Sequence, residues 1–158
     1  MYQVKTSLIF FLVFKASLSI SQTKFNTEEK DSSNVYFYSI IKYCELVDSG
    51  RLKKQDIYVE KDYLLTDGLP NQINSLTIKY LDKSQIRKFV RKNTQITILK
   101  IFPLAVKEEE FSVFIVPFSV TYKKRKLNYI NAGNFQASFR YDQTSMGLVF
   151  SHTKMNGI

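Results

Sequence analysis

Residues 96–122 read ITILKIFPLAVKEEEFSVFIVPFSVTY, two apolar runs on either side of a charged tip. From Gln95 onward the pattern has the period of two that marks β-strands. The stretch therefore predicts a hairpin, with Ile96 to Lys107 and Phe111 to Tyr122 as strands and Glu108, Glu109 and Glu110 as a solvated tip. Both strands are apolar at nearly every position, so both of their faces should be covered. Pro103 and Pro117 cannot donate ladder hydrogen bonds, which puts each at a bulge or an edge. They lie at similar distances from the tip, where the sheet should bend.

Downstream, Lys123, Lys124, Arg125 and Lys126 form a second tip. The following strand, Leu127 to Asp142, should break near Asn131–Asn134, with Gly133 at a bulge. Beyond the break Phe135, Ala137, Phe139 and Tyr141 alternate with Gln136, Ser138, Arg140 and Asp142, which makes one face wet. A last strand runs from Leu148 to Met155. Upstream, Asn34 to Ser49 reads as an amphipathic helix capped by Ser33 and ended by Gly50, with Tyr36, Ile40, Tyr43 and Val47 on its buried face. Ile57 to Leu65 and Ser75 to Leu81 read as a hairpin turning at Asp67-Gly68-Leu69-Pro70. Asp82 or Ser84 then caps a short basic helix that ends at Asn93.

Together these elements predict one α+β domain over residues 34–158. Its long N-terminal helix packs on a curved antiparallel sheet built from the hairpin, the short helix and a four-stranded meander. The meander should curl around the first helix, as in cystatin-like and NTF2-like architectures, a likeness that licenses no function.

The N-terminus reads as an address. The apolar run Ser7 to Phe14 is too short to cross a bilayer, which takes about 20 residues. It fits the core of a secretory signal peptide, preceded by Lys5 and followed by small residues at Ser19 and Ser21. Residues 1–21 are expected to be removed by cleavage after Ser21. A flexible polar linker over 22–33 then leads into the domain. The mature protein would be periplasmic or secreted, without a transmembrane segment.

Composition limits the chemistry. The full chain of 158 residues carries a formal net charge of +9. Loss of Lys5 and Lys15 with residues 1–21 would leave +7, and an exported protein this basic could meet an envelope protein, lipid or glycan, while export argues against nucleic acid. With one cysteine, Cys44, no internal disulfide forms, and its place on the helix's apolar face reads as an inert small hydrophobe. One histidine and one cysteine cannot build a zinc site of the usual kind, so no metal or cofactor is expected. No phosphate loop, nucleophile elbow or metal-binding helix motif occurs.

Two groups of residues remain as candidates. His152 should lie on the concave face of the sheet near Phe135, provided the preceding turn centres on Thr144 and Ser145. There it could act as a general acid or base beside a tyrosine. The short helix carries Arg87, Lys88, Arg91 and Lys92 opposite Ile86, Phe89 and Val90. With Lys123, Lys124, Arg125 and Lys126, these make two cationic clusters that could dock on anionic lipid, glycan or nucleic acid.

The signal, the YVEKDYLLTDGLP segment, the NYINAGNFQASFRYD strand and the ending Asn156-Gly157-Ile158 resemble small uncharacterised exported proteins of Bacteroidota. The resemblance implies export and a bacterial source and carries no activity. The sequence thus leads to an exported, non-enzymatic binding domain that takes a protein partner or an apolar ligand through Phe135, Phe139 and Tyr141. The alternatives are a small NTF2-like pocket enzyme using His152, and a cationic surface binder or protein inhibitor.

Overall fold

A computed structural model describes residues 34–52 and 56–157. The signal segment, its cleavage point and the linker therefore lie outside the described residues. The first element, α1 (Val35–Asp48), is capped by Asn34, one residue later than expected. The Asn34 side chain accepts hydrogen bonds from the free amides of Tyr36 and Phe37 at 3.1 and 3.0 Å. Gly50, at φ +75°, ends the helix in the left-handed conformation that a residue with a Cβ adopts only at a cost. Ile40, Tyr43, Cys44 and Val47 form the buried stripe. Burial, followed by the Asp48 and Glu45 charges, pushes the Cys44 thiol up to about 12.

The strands are β1 (Ile57–Glu60), β2 (Gln72–Ile73), β3 (Leu76–Leu81), β4 (Gln95–Ile101), β5 (Ala105–Lys107), β6 (Glu110–Lys123), β7 (Lys126–Asn131), β8 (Asn134–Asp142) and β9 (Gly147–Asn156). They form one mixed sheet in the order β2-β3-β1-β4-β6-β8-β9, with β5 and β7 also paired to β6. This corrects the expected fold. The sheet has nine strands, is open and is not curled around α1, so neither cystatin-like nor NTF2-like describes it.

Two physical reasons account for the difference. The expected hairpin at Asp67–Pro70 does not form, because β1 runs parallel to both β3 and β4. The Asp62 side chain instead turns the chain locally by accepting from the amides of Leu64 and Leu65. The true hairpin is the short β2–β3 pair, which turns through Asn74 (φ +51°) and Ser75. The second reason is α2 (Lys83–Asn93), capped reciprocally by Asp82 and Gln85. It is the crossover between the parallel strands β3 and β4, so it covers the sheet face opposite α1. With both helices available as covers, the meander has no need to curl.

The 14-residue strand β6 is the spine. One of its edges pairs with β5 and then β4, and the other pairs with β8 and then β7. Both partners break midway. Pro103 falls in the gap between β4 and β5, where the Leu104 amide donates to the Tyr36 hydroxyl at 3.1 Å. Pro117 lies opposite the β7–β8 break, and its carbonyl accepts from the Ala132 amide at 2.9 Å. The N–H that proline lacks is thus on the side where no strand partner waits for it.

The alternation of β6 divides the interior in two. On one face α1 packs over Val59, Leu99, Val113, Ile115, Phe135, Ala137 and Phe139. On the other, Ile86 and Val90 of α2 pack over Tyr58, Ile96, Ile98 and Val120. Among the described residues no helix is long and apolar enough to cross a membrane.

Candidate functional site on the open sheet face

α2 roofs only the part of its face around Val120. Toward the start of β6 the same face carries Glu110, Ser112 and Phe114, and among the described residues no helix packs over them. The register places Arg140, Ser138 and Gln136 of β8 beside them in that order. On the next strand His152 stands opposite Ser138 and Lys154 opposite Gln136, while Lys107 of β5 flanks Glu110 from the other edge.

These side chains form a network centred on one oxygen. Glu110 Oε1 accepts from the Ser138 hydroxyl at 2.7 Å, the Gln136 amide at 3.2 Å and the Ser112 hydroxyl at 3.3 Å. The Gln136 amide also donates to the Ser112 and Ser138 oxygens at 2.9 and 3.1 Å. The Ser138 hydrogen bond comes first among the forces holding the Glu110 carboxyl below its usual range. Burial opposes it, and the His152 charge, the Ser112 hydroxyl and the Arg140 charge add to it. A hollow of about 390 Å³ opens over Glu110, Ser112 and Gln136, and a cleft of about 1000 Å³ adjoins it between the glutamate tip, Arg140 and Tyr141.

The site separates residues that the sequence had grouped. Phe135 and Phe139 are fully buried beneath α1, with their rings edge-on to Tyr43 and Tyr38 at 5.5 and 6.0 Å. They are core residues. Tyr141 is half-exposed in the cleft, with its hydroxyl 3.8 Å from Met146 Sδ. His152 is exposed on the face away from Phe135. The turn does centre on Thr144 and Ser145, as the Asp142–Gly147 and Phe139–Phe150 pairs require, but Ser151 is an extra residue in the ladder. That bulge reverses every side chain beyond it and puts His152 across from Ser138, with Nδ1 3.2 Å from the Ser151 hydroxyl.

In the sequence Glu110 reads as part of a solvated tip. The missed signal is its phase: Glu110 and Ser112 stand two apart at the start of an apolar strand, and Gln136, Ser138 and Arg140 repeat that alternation in β8. Glu60 is also largely enclosed. It pairs with Lys100 at 3.0 Å, and the Lys100 ammonium lies 4.4 Å from the centre of the Tyr129 ring.

The cationic residues are exposed as expected, and the structure joins their two clusters. The Arg91 guanidinium donates to the Tyr122 hydroxyl at 2.7 Å and lies 4.6 Å from the centre of that ring, next to the Lys123–Lys126 turn. Among the described residues no group of three His, Cys, Asp or Glu side chains is placed to hold a metal. Comparison with known protein families, with curated proteins and with solved structures finds no match for the chain.

Proposed function

We propose that the chain is an exported, non-enzymatic binding domain whose open sheet face takes a hydroxyl-rich anionic ligand, of the class of acidic oligosaccharides. The observation that carries this reading is the glutamate-centred network on a face that no described helix covers. Among the described residues every hydrogen bond at the Glu110 carboxylate falls on Oε1, which leaves Oε2 as an acceptor for ligand hydroxyls, and such charge-assisted bonds are strong. Lys107, Arg140 and Lys154 flank the network and supply donors for acidic groups.

Two further features favour binding of a polar ligand over the alternatives. The hydroxyl closest to a carboxylate base, that of Ser138, is fully buried and out of reach of a substrate, so it is poorly placed for nucleophilic attack. The apolar-lined hollow beside Tyr43, Ile57 and Leu99 holds about 150 Å³, well below the roughly 300 Å³ at which ligand pockets begin. An apolar ligand therefore has little room there. Export rests on the signal-peptide reading of residues 1–21.

The test is calorimetric titration with a panel of neutral and uronate-containing oligosaccharides. Micromolar to millimolar binding of an acidic member, weakened at least tenfold in Glu110→Gln, supports the reading. Binding of no member, or binding indifferent to that substitution, overturns it.

A further inference from the structure

The end of β6 away from Glu110 has a different character. Arg87, Lys88, Arg91 and Lys92 are all exposed on the outer arc of α2, and the four cations of the β6–β7 turn are exposed beside them. The Arg91–Tyr122 contact fastens the two groups into one surface. Among the described residues none of these cations takes part in an ion pair; the pairs present are Lys42–Glu45 and Lys100–Glu60.

The turn is built at a cost. Lys123 stands directly across from Lys126, a like-charge pair that weakens a ladder. Lys124 and Arg125 have φ of +50° and +64°, where Asn-Gly would be less strained. A strained position held by charged side chains points toward a use for the charge.

We infer that this end of the domain docks on an anionic lipid bilayer. Of the large exposed apolar residues, Tyr63, Leu64, Val106 and Met146 lie elsewhere; Ile130 stands on β7 near the turn, one apolar side chain beside eight cations. Single-stranded nucleic acid is usually held by free aromatic platforms among the cations. Here the Tyr122 ring is already stacked by Arg91, and Phe89 is packed against Tyr58. A plane of lipid phosphates needs neither platform nor wedge. It attracts juxtaposed lysines and arginines at about fivefold in affinity per cation. The fourteen residues of β6 span about 45 Å, so a domain resting on this end holds the Glu110 network well away from the membrane.

The experiment is co-sedimentation of the full-length protein with phosphatidylglycerol-rich vesicles and with neutral phosphatidylcholine vesicles. Binding to the anionic vesicles alone is expected, and it should fall steeply as salt rises from about 0.1 M to 1 M, which shortens the screening length from about 10 Å to 3 Å. Changing the four α2 cations to Gln should weaken binding more than tenfold, and changing the four turn cations to Gln should do the same. Glu110→Gln should leave vesicle binding unchanged, which keeps this inference separate from the ligand site. Equal binding to neutral vesicles would overturn the inference by assigning attachment to the N-terminal apolar run. Binding that survives both sets of Gln substitutions would also overturn it. Tighter binding to duplex DNA than to vesicles at matched phosphate concentration would make nucleic acid the partner instead.

Discussion

Phe118, Val120 and Tyr122 point to the same side of β6 as Glu110, Ser112 and Phe114, yet α2 roofs only the neighbourhood of Val120. Under the roof the neighbours are Ile86, Val90, Ile96 and Ile98, and the space between helix and sheet is filled by apolar side chains. Beyond it, two serines, a glutamine and a glutamate satisfy one another across two strands. The contrast shows what a helix cover demands of a strand. A half-strand under a helix must give up its polar groups, because each one buried without a partner costs about 1–3 kcal/mol. A half-strand left open can keep polar groups that bond one another, with Glu110 and Gln136 still partly exposed. The two halves should therefore answer mutation differently, the first in stability and the second in binding.

The largest effect is expected in the covered half. Ile98 is fully buried, and Ile98→Ala should cost about 2–5 kcal/mol in chemical denaturation. An effect below 1 kcal/mol would mean that α2 does not seal this face. Lys100 and Glu60 stand at the boundary between the halves, and Glu60→Ala should cost about 1–3 kcal/mol by stranding the Lys100 ammonium against the Tyr129 ring. In the open half, Ser138→Ala removes the shortest bond to Glu110 and should cost about 1 kcal/mol in stability. It should also raise the carboxyl's pKa toward the ordinary carboxylate range, measurable by NMR titration of the side-chain carbon.

The pH dependence follows from the same bond. The Glu110 carboxyl is held below its usual range in the folded protein, so its contribution to stability is fully present above the unfolded value. That contribution is lost as pH falls through the lowered folded value. Ligand affinity should fall with it as the carboxylate gains a proton, and Glu110→Gln should flatten this acid limb. The smallest effect is expected at His152. His152→Ala should change stability and oligosaccharide affinity by no more than about twofold in the equilibrium constants, since its ring is exposed and its one hydrogen-bond partner is the neighbouring Ser151. A collapse of function in this variant would restore the histidine as the centre of the site.

The sequence made some of this legible and hid the rest for identifiable reasons. Strands apolar on nearly every residue do mark the spine, but both faces are covered only in the half beneath α2, and the Gly133 region does break the strand beside it. Local capping was readable at Asp82, where the box with Gln85 forms. The pairing of β1, β3 and β4 was not readable, because these strands run parallel through connections whose direction no local pattern records. The Asp-Gly dipeptide drew attention to the wrong turn, while the real one passes through Asn74 and Ser75 without a glycine. One residue, Ser151, decided the fate of His152, since a bulge leaves hydrophobic alternation intact on each side of itself. Glu110 was hidden by its neighbours: three glutamates in a row read as a tip, although the last of them opens β6 in phase with Ser112. The expectation for residues 1–33 concerns chain outside the described part of the structure.

The most direct test of the open face is an amide NMR titration of the protein with the acidic oligosaccharide that binds most tightly in calorimetry. Shifts should concentrate at Glu110, Ser112, Gln136, Ser138 and Arg140, with the amides of α2 unmoved and the shifts abolished in Glu110→Gln. Shifts centred instead on α2 and the Lys123–Lys126 turn, or their persistence in Glu110→Gln, would contradict a ligand site on the open face.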